Sequence, residues 1–464
     1  MDVMQPTLSP IPPLVIYYRH VLISTVILFI SSAVYSGVLS YCLAVYASVE
    51  WAEYGFSFGG IDFIDVLALC FVLAFWAVFL PKKIQCPSSL FLVVVYLFVC
   101  VPAAVATVGL QAPDSGFYYP LLFSVAIGFA VACLVARSLT WPSLPRKETK
   151  GLLSFILIAW IACLTVLVVK FGSVMSFSGL DEIYLQRERG KAGGLFEGYI
   201  QTYFGYVFSP FLLAFGLVRR NVFLVVVGFV GSVVIYMITA EKAVFIYPFF
   251  ILSLFFCMRL NAFFFLSPSL IATVFSLSLF LATLFYESSA IAGFVAWYLG
   301  IRSLLVPGVF LAHYSNFFAD YGYTFGTHIT GVNVFLETPL NYYLHSRWPS
   351  IGHLVGEEYL GIPTLNANAN FLAADGLASF GLFGVILVFL FFSFFLVVLD
   401  WVARGVQSEL VLLVMLPLSL TLTNGSLFTG MLSFGGFFFL MVFALFFKKV
   451  NCKNISNDVV GLRK

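Results

Sequence analysis

The chain has 464 residues, of which 62% are hydrophobic, 18% aromatic and only 9% charged. Soluble domains carry roughly a quarter charged residues, so this composition excludes an ordinary soluble protein. The formal net charge of +2 says little about partners, and no segment indicates nucleic-acid binding.

Twelve apolar segments along the chain approach or reach the ~17–25 residues that a helix needs to cross a membrane. They are residues 21–47, 62–81, 89–109, 118–136, 151–170, 201–218, 222–240, 243–258, 263–285, 377–401, 408–423 and 427–447. Lipid cannot satisfy backbone N–H and C=O groups, so segments this apolar must be helices. The sequence therefore predicts an all-α polytopic membrane protein, with residues 1–464 forming one integral membrane domain.

Basic residues set the expected orientation. If the N-terminus is inside, every inner connection carries a Lys or Arg, as the positive-inside rule requires, and both termini are predicted to be cytoplasmic. Residues 290–312 could form a thirteenth span, but this would bury Arg302 at a cost of ~2.5 kcal/mol or more. We expect instead a re-entrant or interfacial helix that is broken near Pro307 and Gly308.

Two long outer loops, residues 171–200 and 286–376, carry isolated basic residues although each loop is net acidic. Sparse cations on an acidic surface indicate specific contacts with an anion rather than general attraction to lipid headgroups. Pairing with neighbouring carboxylates, which is common on protein surfaces, is the alternative interpretation.

The first loop places Arg187, Arg189 and Lys191 within five residues. An arginine side chain presents a planar fork that suits the oxygens of a diphosphate. Glu241 and Lys242 lie in a tight outer turn, where we interpret them as an interfacial cap. A lysine that reaches a diphosphate from this turn is the less favoured alternative.

The second loop holds four of the five histidines, His313, His328, His345 and His353. Their spacing does not match a metal site, and a histidine in such a loop is more often structural than catalytic. The loop is also rich in aromatic residues. Many of these are expected to lie in the membrane interface, although aromatic faces beside Asn, Asp and His also suit sugar binding.

The chain resembles the Wzy-type polymerases, which join oligosaccharide repeat units of O-antigen or capsule in bacterial inner membranes. The resemblance covers most of the chain and includes the twelve spans and the two enlarged outer loops. It is carried by residues 302–308 followed by 313–318, by residues 366–376 leading into Phe380-Gly381, and by an Arg-x10-Gly spacing from Arg187 to Gly198. A matching spacing from Arg302 is not obvious.

This resemblance implies a GT-C-like, metal-independent glycosyltransferase without a cofactor. Its substrate would be an oligosaccharide linked to polyprenyl diphosphate, and its partners would include the lipid bilayer, a chain-length regulator and a flippase. The implied catalytic residues are Arg187, Arg302 and His313, with His313, Asp320 or Glu357 as the base. The implied substrate-binding residues are Arg189, Lys191, Asp320, Arg347, Glu357, Asn368, Asn370 and Asp375.

Two other functions stay open at this point. A ligase that moves finished glycan onto another acceptor would look similar in sequence. A transporter or flippase would require ionisable residues within the spans and two repeated halves. The spans are almost free of charge and no internal repeat is evident, which argues against transport.

Overall fold

The computed structural model describes residues 13–110, 118–139, 151–177, 183–190, 194–259, 267–329, 332–336 and 348–446. Within these ranges the chain is built from helices and the turns between them, and no β-strand occurs. Residues outside the ranges include Lys191, His345 and Arg347.

Fourteen helices define the architecture of the described residues. They are α1 (Pro13–Cys42, continuing through Leu43–Ala47 to Ser48–Glu50), α2 (Phe63–Phe79), α3 (Pro87–Gly109), α4 (Tyr119–Ser138), α5 (Leu152–Phe171), α6 (Ile183–Gly190), α7 (Leu195–Arg219), α8 (Val222–Thr239), α9 (Lys242–Arg259), α10 (Pro268–Leu284), α11 (Ala290–Tyr321), α12 (Leu372–Ala403), α13 (Ser408–Asn424) and α14 (Leu427–Phe446).

The predicted polytopic α-helical fold is confirmed. Ten of these helices are long and apolar enough to cross a membrane, while α2, α10 and α13 are shorter apolar helices. Each of the twelve predicted segments coincides with one of these thirteen helices. Their starts carry ordinary signals: the Asn221 side chain accepts a hydrogen bond from the backbone of Leu224 before α8, and Pro268 occupies the first turn of α10.

Contacts between helix ends show which ends lie together. The Gly59 N–H donates to the Gly109 carbonyl, which joins the loop after α1 to the end of α3. The Tyr119 hydroxyl, at the start of α4, donates to Asp65 in the first turn of α2 at 2.5 Å. We call this end of the bundle the site end. Basic residues at or near the ends of the helices, such as Arg137 in the last turn of α4, lie at the other end, whose cytoplasmic orientation stays a prediction.

Both ends of α11 lie at the site end. Just before α11, the Tyr286 ring lies 4.7 Å from the ring of Tyr46 in the last turns of α1. Near the far end of α11, His313 Nε2 lies 3.1 Å from the carbonyl oxygen of Gly55, in the loop that follows α1. Residues at both ends of α11 therefore contact the same end of the bundle, so this helix lies across that end instead of crossing to the other, although it is long enough to cross a membrane.

The expectation of a break near Pro307 and Gly308 is wrong. Ten residues, Ala296–Leu305, form π-helical turns, and α-helical turns resume directly at Val306. The wider π turns accommodate the proline ring and its missing N–H, so the helix continues. Gly308 allows α11 to cross α3 closely, since a Cβ there would lie 2.6 Å from the Pro102 carbonyl oxygen.

Single cysteines introduced at Ser288 and Asp320, in a variant lacking the native cysteines, test this arrangement of α11. Both positions are exposed; Ser288 precedes α11 and Asp320 lies in its last turn, so a membrane-impermeant maleimide should label both from the same side. Ser408→Cys, at the other end of the bundle, should be labelled only from the opposite side. Labelling of positions 288 and 320 from opposite sides would show that α11 crosses.

Candidate functional site

The short helix α6 is held in the bundle by the side chain of Gln186, which is only 1% exposed. Its amide nitrogen donates to the carbonyls of Val174 at 2.8 Å and Met237 at 2.7 Å, and its oxygen accepts from the Ser176 hydroxyl at 3.0 Å. These bonds connect α6 to the loop after α5 and to the end of α8. The next residue, Arg187, is thereby placed beside the turn between α8 and α9.

That turn contains Glu241, whose carboxylate accepts a hydrogen bond of 2.8 Å from the Tyr206 hydroxyl of α7. The positive charge of Arg187 acts on both Glu241 and Tyr206. Burial raises the pKa of the Glu241 carboxyl, while the Tyr206 hydrogen bond and the Arg187 charge act in the opposite direction. Glu241 therefore holds α6, α7 and the α8–α9 turn together electrostatically.

Lys242, at the start of α9, completes a set of three cations. Its ammonium lies 4.5 Å from the centre of the Trp297 ring on α11, within the range of a cation–π interaction. It also experiences the positive charges of both Arg187 and Arg302. We call Arg187, Lys242 and Arg302 the cation cluster. Its members come from α6, α9 and α11, which are far apart in sequence.

Aromatic side chains surround the cluster. The Tyr206 ring lies 5.6 Å from that of Tyr247 and 4.6 Å from that of Phe434. On α11, the Tyr298 ring stacks on the Phe294 ring with 5.8 Å between their centres. The positive charge of Arg302 acts on the Tyr298 hydroxyl. Apolar surroundings lower the effective dielectric, so each cation attracts an anion more strongly than it would in water.

An anion can reach the cluster from outside the bundle. Arg302 is exposed, and Arg187 and Lys242 are half-buried. Guanidinium groups suit bidentate contact with phosphate oxygens, and a lysine ammonium adds a compact positive charge. Arg187 and Arg302 both act electrostatically on Lys242, so the three groups together form a positive region that favours an anion.

The structure thus brings together Arg187 and Arg302, the two arginines predicted from the two loops. Arg189 is exposed on α6, and the described contacts of the cluster do not include it. Lys191 and Arg347 lie outside the described residues. The predicted roles of Lys191 and Arg347 in substrate binding stay predictions.

The residues predicted to supply a base lie farther along α11 and beyond it. His313 is buried and engaged with the backbone of Gly55. Asp320 and Glu357 are exposed, as is Asn368. These side chains also belong to the site end of the bundle, but the described contacts do not join them to the cation cluster.

Asn370 and Asp375 hold helices in place. The Asn370 amide nitrogen donates to the carbonyl of Pro307 at 3.0 Å, inside α11. The Asp375 carboxylate accepts from the Ser426 hydroxyl at 2.7 Å and from the Leu427 N–H at 2.5 Å, at the start of α14. Both side chains are buried, so the structure gives them a structural role.

Four residues of the site were not predicted from sequence: Gln186, Tyr206, Glu241 and Lys242. The Glu241-Lys242 pair was interpreted first as an interfacial cap, with a lysine that reaches a diphosphate as the less favoured alternative. A charged pair in a two-residue turn between apolar helices was the available signal. Gln186 and Tyr206 carried no signal, because the contacts that join them to other helices are non-local: Met237 lies 51 residues from Gln186, and Glu241 lies 35 residues from Tyr206.

Comparisons of the chain with protein-family models, curated proteins and solved structures find no match. Among the described residues, no group of three or more His, Cys, Asp or Glu side chains could hold a metal ion. The fold and site therefore define a class: a multi-pass α-helical membrane protein with a cation cluster at one end of its bundle.

Replacing Gln186 with leucine should release α6. The variant leaves the carbonyls of Val174 and Met237 without their donor, at a cost of about 1–3 kcal/mol for each buried group that loses its partner. Limited trypsin digestion should then cleave after Arg187 and Arg189 several-fold faster than in the wild type. Gln407→Leu, at an exposed site on the opposite end, is the control. Equal cleavage rates in both variants would contradict the role of Gln186.

His328, in the loop after α11, offers a pH test. Its Nδ1 lies 2.7 Å from the Thr324 hydroxyl, and burial lowers its pKa from 6.5 to about 4, against a smaller effect of the Ala374 backbone. The folded protein therefore favours neutral His328. Its contribution to stability is complete above pH 6.5 and is lost as the pH falls towards 4.

The melting temperature should accordingly fall between pH 6.5 and pH 4 more steeply in the wild type than in His328→Gln. Differential scanning fluorimetry of both proteins in the same detergent measures this difference. Parallel curves for the two proteins over that range would show that His328 is not buried in its neutral form.

Proposed function

We propose that this protein is a bacterial polysaccharide polymerase that acts on oligosaccharide repeat units linked to polyprenyl diphosphate. It would transfer a growing glycan from its lipid carrier to the non-reducing end of a new lipid-linked unit. This is the reaction that the resemblance to Wzy-type polymerases implies, within a GT-C-like architecture. The product would be O-antigen or capsular polysaccharide.

The observation that carries the proposal is the meeting of Arg187, Lys242 and Arg302 at one end of an apolar helical bundle. A polyprenyl diphosphate combines an apolar chain with two adjacent phosphates. A bundle with apolar sides and cations at the end of the apolar helices matches both parts. The site end would then face the periplasm of the inner membrane, with both termini in the cytoplasm.

The chemistry requires charge stabilisation more than any other contribution. The bond between the donor sugar's anomeric carbon and the diphosphate oxygen breaks, and its electron pair moves onto the diphosphate. The cation cluster would stabilise this developing charge because its groups are fixed before the reaction begins. Glu241 would keep Arg187 in position between turnovers.

The new glycosidic bond forms to a hydroxyl group of the acceptor sugar. Its hydroxyl oxygen attacks the anomeric carbon, and the hydroxyl proton passes to a base within hydrogen-bond reach. Asp320 and Glu357 are exposed carboxylates at the same end of the bundle. His313 is a weaker candidate than the sequence indicated, because its ring is buried and occupied by the Gly55 backbone.

Alanine substitutions in the cluster should abolish long glycans. Loss of one donor that stabilises developing charge lowers rates by about 10²–10³-fold, so Arg187→Ala, Lys242→Ala and Arg302→Ala should each leave mainly single repeat units. Electrophoresis of surface glycans from a deletion strain that expresses each variant measures chain length. Immunoblotting checks that each variant reaches wild-type levels.

Arg189→Ala is the matched control, since Arg189 shares α6 with Arg187 but does not belong to the described cluster. It should retain long glycans. Wild-type chain length in the Arg187→Ala/Arg302→Ala double variant, at normal expression, would contradict the proposed role of the cluster.

A further inference from the structure

A second site lies at the other end of α11. A pocket of about 180 Å³ opens between the last turns of α11, the start of α4 and the start of α12. Its polar lining residues are Ser315, Asn316 and Tyr323, and the rest of its lining is apolar or glycine. No charged side chain lines it. The pocket therefore suits a neutral ligand with the size of a single sugar ring.

The chain is shaped locally to form this pocket. Gly381, in the wall, interrupts α12 with a φ of +62°. A Cβ at this position would also lie 2.6 Å from the Tyr323 hydroxyl. Only glycine combines this backbone conformation with so close an approach, so the Tyr323 hydroxyl is brought to the pocket wall.

Asn316 supplies a polar group without a partner. Its amide nitrogen donates to the hydroxyls of Tyr118 at 2.9 Å and Tyr359 at 3.0 Å. Its Oδ1 is buried and has no hydrogen-bond partner among the described residues. Turning the amide round would satisfy the oxygen and leave the nitrogen without a partner instead. Either way, one polar end of Asn316 is left without a partner among the described residues.

We infer that this pocket binds one neutral sugar residue of the substrate, whose hydroxyl groups would meet the polar lining residues Ser315, Asn316 and Tyr323. The two tyrosine hydroxyls fix the amide before the sugar arrives, which lowers the entropic cost of binding. The choice of a sugar, rather than another neutral polyol, rests on the proposed function.

The position along α11 fits an oligosaccharide. Asn316 lies about 20 Å from Arg302 at 1.5 Å per residue. A glycan whose diphosphate occupies the cation cluster would thus extend along α11 and place a more distant sugar in the pocket. One helix would then contact the substrate both at the diphosphate and at the more distant sugar.

Saturation-transfer NMR on the full-length protein in detergent tests this inference. The probes are the methyl glycosides of glucose, galactose, mannose, rhamnose and N-acetylglucosamine. At least one should receive saturation from the wild-type protein, and the signal should fall at least fivefold in Asn316→Leu. Leu382→Trp, which obstructs the pocket from its rim without removing the Asn316 hydrogen bonds, should have the same effect.

Tyr314→Phe is the matched control. Tyr314 lies in the same part of α11 as Asn316 but does not line the pocket. The substitution removes the hydrogen bond of 3.1 Å from the Tyr314 hydroxyl to the Ala367 carbonyl. This variant should bind the glycoside as the wild type does. Absence of any signal with the wild type, an unchanged signal in Asn316→Leu and Leu382→Trp, or an equal loss in Tyr314→Phe would each overturn the inference.

Arg302→Ala separates this inference from the proposed function. It should lose long glycans in cells while the purified protein keeps its glycoside signal. If the protein proves not to polymerise glycans, the NMR result still decides whether the pocket binds a sugar.

Discussion

Mutual repulsion of the cations is the constraint on which the site depends. Arg187, Lys242 and Arg302 lie beside an apolar bundle, where charges of the same sign repel more strongly than in water. Two of them are held by separate contacts: the hydrogen bonds of Gln186 fix α6, which carries Arg187, and the ring of Trp297 contacts Lys242. A bound diphosphate would relieve the repulsion. Under the proposed function, the cation cluster is therefore formed before the diphosphate binds.

The path of α11 shows how, under the proposed function, one element could serve a long substrate. Because both ends of this helix lie at the same end of the bundle, residues along its whole length lie near that end. The π-helical turns carry Arg302 to the cation cluster, and the α-helical turns after Pro307 carry Asn316 to the pocket. Close packing at Gly308 against α3 fixes the helix between the two sites.

The sequence was sufficient to predict the membrane helices, because hydrophobicity and length are local properties of each segment. It was also sufficient to select Arg187 and Arg302, since isolated cations are rare in such a chain. It could not show that Lys242 lies with them, because that contact joins a tight turn to a helix some 55 residues later. The continuity of α11 through Pro307 was also missed, since π-helical turns leave no simple pattern in the sequence.

The most direct measurement of the central claim is the length of the glycan on the surface of cells that lack this protein. If the cation cluster serves a polymerase, such cells should carry single repeat units attached to their acceptor. Expression of the wild-type protein should restore long chains. Cells with no repeat units attached would indicate a ligase or a transporter, and cells with chains of unchanged length would contradict a role in glycan assembly.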